Sequence, residues 1–222
     1  MALTKYNYNS FNVTPVASKA MGFNSGANGL TTVTEGDVVL IKTLTASSDS
    51  TLSFVDGTSD VVLDNTYPTY LFKFINIHPS AEAQFTFQGN VAGGSGYNET
   101  ITSTAFQAYH TEDDTSAAST GYSTDNDQAQ GTSFQIISSV GGTQNDASLS
   151  GELWLLNPSS TTFVTHFMAR TIEMYEDSAP GAIELHTAGY FNLTGAIDEI
   201  QFKMDSGNID AGTIKLYGIK DS

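Results

Sequence analysis

Cysteine is absent from all 222 residues, which excludes a disulfide framework and thiolate zinc sites. Bases are scarce: eight Lys and Arg stand against 24 Asp and Glu, a formal net charge of −16. A chain this acidic has no basic patch with which to release phosphate counterions. Nucleic acid is thereby excluded as a partner, and an anionic membrane surface is repelled. No apolar run reaches the length of about 18 residues that a spanning helix needs, so membrane insertion is not expected. Residues Met1 to Asn9 lack the apolar stretch of a secretory signal, and synthesis in a cytoplasm follows as the expectation. Only one Trp and five Pro occur.

What is present is β grammar. Hydrophobic residues make up 39% of the chain and aromatics 11%, enough for a folded core at this length without metal or disulfide staples. Thr, Ser, Asn and Gly fill much of the rest, a composition that suits extended structure more than salt-bridged helices. The stretch from Ser148 to Tyr175 organises the body. Ser148 to Leu156 is strand-like, Asn157-Pro158-Ser159-Ser160 supplies turn chemistry, and Thr161 to Ile172 leaves as a second run rich in β-branched and aromatic residues. That pattern predicts an antiparallel hairpin. Alternation places Leu149, Leu153 and Leu155 on one face, with Trp154 opposite. It also places Phe163, Thr165, Phe167 and Ala169 on one face of the second strand and Val164, His166 and Met168 on the other. Both faces carry apolar residues, so protein is expected on each side, with Trp154 covered by a second sheet or a neighbouring subunit.

Further strands are expected at 37–45, 51–55, 69–77, 83–88, 101–110, 133–138, 182–191, 196–204 and 213–219, with turns at Asp56-Gly57 and Gly141-Gly142. Ten to twelve short antiparallel strands with no fixed-period repeat predict an all-β fold. Its expected form is a jelly-roll-like antiparallel β-sandwich over residues 35–222. Glu173 to Asp177 is the only segment with a reading as one turn of helix. Residues 1–34 differ: Asn, Ser, Gly and Ala surround Tyr6, Tyr8, Phe11 and Phe23, and no period is sustained. Two readings fit that segment, a solvated tail or an extended N-terminal arm whose four rings dock on a partner. Four rings favour the arm.

Motifs that carry chemistry are mostly absent from the sequence. His78, His110, His166 and His186 sit on or beside different strands, and none forms a short-spaced pair. Phosphate-loop, dinucleotide, metalloprotease and nucleophile-elbow motifs do not occur. Glycosidase chemistry needs two carboxyls facing one cleft. Glu173, Glu176 and Asp177 read as the solvated end of a strand, while alternation puts Asp198 and Glu199 on opposite faces. The acidic stretch Thr111 to Gly131 reads as a long structureless loop. Its Asp125-Asn126-Asp127 offers oxygens to calcium without EF-hand spacing, so a solvated loop is the default. No catalytic residue, metal or cofactor is expected.

One resemblance adds to this. The closing Thr213-Ile214-Lys215-Leu216-Tyr217-Gly218-Ile219-Lys220, preceded by Gly195-Ala196-Ile197-Asp198-Glu199-Ile200, resembles the end of tailed-bacteriophage virion surface proteins, especially those of marine phages. The strands Tyr70 to Ile77 and Leu149 to Asn157 fit the same pattern, so the likeness spans most of residues 37–220. It implies a non-enzymatic structural protein of the virion, made in the host cytoplasm and displayed as a tail fibre, appendage or capsid decoration. Other virion proteins are its implied partners, and a homo-oligomer, with a trimer favoured, its implied state. A lectin-like β-sandwich that binds host surface glycan is the alternative.

Overall fold

The computed structural model describes residues 21–23, 30–32, 36–114, 118–175 and 180–221. Fifteen strands form, and no helix occurs among the described residues. The first seven are β1 (Met21–Phe23), β2 (Leu30–Thr32), β3 (Val38–Thr45), β4 (Leu52–Val55), β5 (Thr69–Pro79), β6 (Ala83–Val91) and β7 (Ile101–Thr111). Next come β8 (Ala118–Tyr122), β9 (Ala129–Gly131), β10 (Gln135–Gly141) and β11 (Leu149–Leu156). The last four are β12 (His166–Tyr175), β13 (Gly181–Phe191), β14 (Ile197–Met204) and β15 (Ile209–Ile219).

All pairings are antiparallel. A nine-stranded sheet runs β3-β15-β5-β11-β12-β13-β7-β8, with β9 beside β8 on β7. A four-stranded sheet runs β10-β6-β14-β4 and packs on it, giving the antiparallel β-sandwich that the alternation predicted. The short ribbon β1-β2 stands apart from both sheets in its pairing.

The core is aromatic. Tyr70, Phe72 and Phe74 of β5 face Phe54, Phe85, Phe87 and Phe202 from the smaller sheet, all within 2% of full burial. Phe202 is the hub, with ring centroids 5.2 Å from Phe72, 5.3 Å from Phe74 and 5.6 Å from a stacked Phe85. Edge-to-face contacts of this kind add to the burial itself. Leu149, Leu153, Leu155, Phe167 and Ala169 all point into this layer, as their spacing predicted. The glycine of the closing Leu-Tyr-Gly-Ile-Lys has a steric reason: a Cβ on Gly218 would lie 2.4 Å from the Tyr67 ring, which packs flat against the strand there.

Several expectations need correction. The hairpin connection is residues 157–165 rather than a four-residue turn, and Phe163 lies in it, 70% exposed, instead of on the core face. Glu173 to Tyr175 continue β12, where a helical turn was the reading. The stretch 111–131 is not structureless, because β8 and β9 both pair with β7. The outer face of β12 is uncovered among the described residues, with Met168 and Ile172 exposed, and the second sheet does not cover Trp154. Among the described residues of one chain the hairpin at the hub therefore has protein on one side.

Polar side chains on the inner face of the larger sheet secure β10. Thr171 and Thr187 donate their hydroxyls to the carbonyls of Ile137 and Ile136. The amide of Ser139 donates to Glu173. These bonds satisfy backbone groups where the β10–β6 register shifts between Ile136 and Val140. On the far side of the smaller sheet, buried Gln88 donates to the carbonyls of Glu99, Thr132 and Ser133 and so fastens the loops that cover that face. One face of the sandwich is thus roofed by polar loops, while the other is uncovered among the described residues.

Candidate functional site

The open face of the nine-stranded sheet carries the chain's most developed surface. Strand register places side chains from seven strands in one transverse row: Lys215, Lys73, Glu152, Arg170, His186, Phe106 and Tyr122 are successive directly paired neighbours. Direct pairing puts them on one face. Lys73 Nζ lies 2.6 Å from Glu152 Oε2, and the indole N–H of Trp154 donates to Glu152 Oε1 at 3.0 Å. Arg170 pairs with Glu184, whose Oε1 is also 3.3 Å from His186 Nε2. The His186 ring stacks on Phe106 at 4.7 Å between centroids. The hydrogen bond from Lys73, helped by Trp154, holds Glu152 below the usual carboxylate range. Arg170 does the same for Glu184.

A parallel row is apolar: Leu40, Tyr217, Leu71, Trp154, Met168 and Ala188. Where β11 shifts register against β5 between Leu149 and Gly151, the face dips into an open groove of about 670 Å³. Lys73, Ile75, Glu152, Arg170, Ile172, Glu184 and Tyr217 line it. Its carboxylates are held ionised by bonded cations, and no nucleophile in it is paired with a base. The chemistry on offer is contact: rings and aliphatic side chains framed by bonded charges of both signs.

The chain matches no protein-family model, no curated protein and no solved structure. The functional reading therefore rests on its own residues.

The positions singled out in the sequence fall elsewhere. Tyr6, Tyr8 and Phe11 lie outside the described residues, and for Phe23 only the backbone, in β1, is described. The histidines do not converge. His78 bonds the Gln144 carbonyl, His110 the carbonyl of Thr111, and His166 and His186 sit at separate places on the open face. Among the described residues no three of His, Cys, Asp or Glu gather as a metal site. In the acidic stretch read as a solvated loop, Asn126 Oδ1 accepts from Gln84, and Asp127 accepts the Tyr122 hydroxyl.

The carboxylate pair needs a correction. A register shift between Ile197 and Glu199 interrupts the alternation expected to separate Asp198 from Glu199. Both act on Tyr97, whose hydroxyl bonds Glu199 and whose pKa is raised to about 12, first by burial. Asp198 is itself raised, by burial and then by Glu199. Glu173, read as a solvated strand end, is buried at 4% exposure and points between the sheets. Of the open face, sequence alternation reached only Trp154, opposite Leu153 and Leu155, and His166 and Met168, opposite Phe167. Its residues come from distant parts of the chain and meet only through register.

Proposed function

We propose that this chain is a non-enzymatic structural protein that works by surface contact, displayed on a tailed-bacteriophage virion as a fibre, appendage or capsid decoration. One observation carries the contact reading. Of the eight large hydrophobic residues exposed in the described structure, seven lie on the open face of the larger sheet, and the eighth, Phe163, is in a loop. Isolated surface hydrophobics are ordinary, but a contiguous apolar face marks a docking surface. The virion placement rests on the resemblance of the 213–220 segment and its companion strands. In this reading residues 1–34 anchor the protein through Tyr6, Tyr8, Phe11 and Phe23, and the sandwich faces outward.

The test is incorporation. Full-length chain, a chain beginning at Glu35 and a Met168→Lys/Ile172→Lys variant are each expressed during particle assembly, and purified particles are assayed by mass spectrometry. Full-length protein is expected in the particles. The shortened chain is expected to stay folded and to be lost from them, and the double variant to be depleted. Particles without the full-length chain contradict the reading.

The glycan-binding alternative is supported by a separate observation, the half-buried Trp154 and Tyr217 beside a charged groove. Binding on a glycan array that Trp154→Ala abolishes would favour it.

A further inference from the structure

We propose that the open face of the nine-stranded sheet is where two copies of this chain meet across a two-fold axis. The inference rests on the contact reading above and names the partner.

Charge is the first argument. Among the described residues, the carboxylates at outward positions along the paired rows of this face are Glu152 and Glu184, and each is bonded to a base. Lys73, Arg170 and Lys215 lie on the same face, three of the eight bases in a chain that carries 24 acids. Acidic bodies repel one another over the Debye length of about 8–10 Å at 0.1–0.15 M salt. Here that repulsion gives way to a near-neutral surface with many apolar side chains, Asp210 lying beside His78 at one end of it. A depleted charge density with Met, Arg and aromatic side chains is the composition of an interface centre.

The pattern of the charges selects a second copy over an unrelated protein. Across β5, β11 and β12 the order is Lys73, Glu152, Arg170, and Glu184, one residue pair out of that row on β13, is bonded back to Arg170. A two-fold axis lying in the plane of the face, midway between Glu152 and Arg170 and perpendicular to the row, reverses that order in the partner. Glu152 then faces the Arg170 position of the partner copy, and Lys73 faces the strand that carries Glu184 and His186. An isologous contact demands self-complementarity, and the central Glu152–Arg170 pair supplies it. The flanking apolar row, with Leu40 at 51% and Met168 at 48% exposure, supplies the burial.

Size agrees. Eight strands spaced by about 4.8 Å, with eight or so residues each rising about 3.4 Å, give a face on the order of 900 Å². A standard stable interface takes about 800 Å² from each partner. Three-fold assembly, the state implied by the resemblance, makes no use of that central pair.

The test is the solution mass of the full-length protein by size-exclusion chromatography with light scattering. Twice the 23.6 kDa of one chain is expected. Met168→Lys with Ile172→Lys, both at exposed positions, should give a monomer with an unchanged circular dichroism spectrum, weakening association by about a hundredfold or more. Arg170→Glu alone should also dissociate the pair, and Glu152→Arg with Arg170→Glu should restore it, because the swapped charges are again self-complementary. A wild-type monomer at high micromolar concentration overturns the proposal. So does a dimer indifferent to the lysine pair, a trimer, or a charge swap that fails to restore association while both variants remain folded. A wild-type monomer whose lysine variant is nevertheless depleted from particles would remove the second copy and leave the contact reading intact with another partner.

Discussion

Replacing Glu173 by glutamine is expected to raise the melting temperature at pH 8.5, and the gain is expected to vanish as the pH falls below 5. Glu173 sits on the inner face of β12, 4% exposed, beneath β10. One carboxylate oxygen accepts the Ser139 amide, and the other, Oε1, is buried with no hydrogen-bond partner. Beside it is a cavity of about 10 Å³ lined by Ile77, Leu149, Met174 and Met204, with no charge but Glu173 itself. Burial pushes its pKa from 4.5 up to about 7.

A carboxyl raised in the folded state favours the fold when it is neutral. Its contribution is fully present below the unfolded value of 4.5 and is lost as pH rises through about 7. The loss is on the order of 3 kcal/mol at pH 8.5. Glutamine keeps an acceptor for Ser139 and removes the titration. For a domain of this size the variant should melt roughly 6–12 °C higher at pH 8.5. Acidification also relieves the repulsion of a −16 chain, so the difference between variant and wild type is the quantity to read. A difference that does not change with pH, or a variant less stable at pH 8.5, would show that Glu173 is not a buried acid.

Phe202→Ala should be among the most damaging single substitutions in the chain. The ring is fully buried and lies within 6.3 Å, centroid to centroid, of Phe54, Phe72, Phe74, Phe85 and Phe87. Both sheets contribute to that cluster, so its collapse would require them to move together. A loss of about 3–5 kcal/mol is expected, at the upper end because rigid strands on both sides resist filling the hole. Phe163→Ala, in the 157–165 loop where the ring is 70% exposed, is the control. It should change stability by no more than about 0.5 kcal/mol. Equal losses at the two positions would mean that the core is not organised around Phe202.

The fold was legible because period-two alternation is local. Leu149, Leu153 and Leu155 declare an inward face in eight residues, and Asp56-Gly57 declares a turn in two. The weak strands were not legible. β8 is Ala-Ser-Thr-Gly-Tyr, exposed along its whole length, and pairing with β7 rather than its own composition makes it a strand. Glu173 illustrates a signal that was present and overridden. Continuing the alternation of Phe167, Ala169 and Thr171 places residue 173 inward, but a carboxylate beside other acids reads as a solvated end. Asp198 and Glu199 show the opposite case, since a bulge cancels an alternation argument that is otherwise sound. The open face was the least legible of all. Lys73, Glu152, Arg170 and Phe106 become neighbours only when strand order and register are known, and both are set by long-range pairing.

Trp154 offers the most direct measurement of whether that face is a contact surface. It is the only tryptophan in the chain, so its emission reports one position. In the apolar row it stands between Leu71 and Met168 on the side away from the core. Acrylamide quenching of the full-length protein, followed through a dilution series, separates a covered face from an open one. The account predicts poor quenching at high concentration that rises several-fold on dilution, together with a red shift, as the face becomes exposed to water. Quenching that is already strong and does not change with concentration, in free protein and in the assembled particle alike, would contradict it.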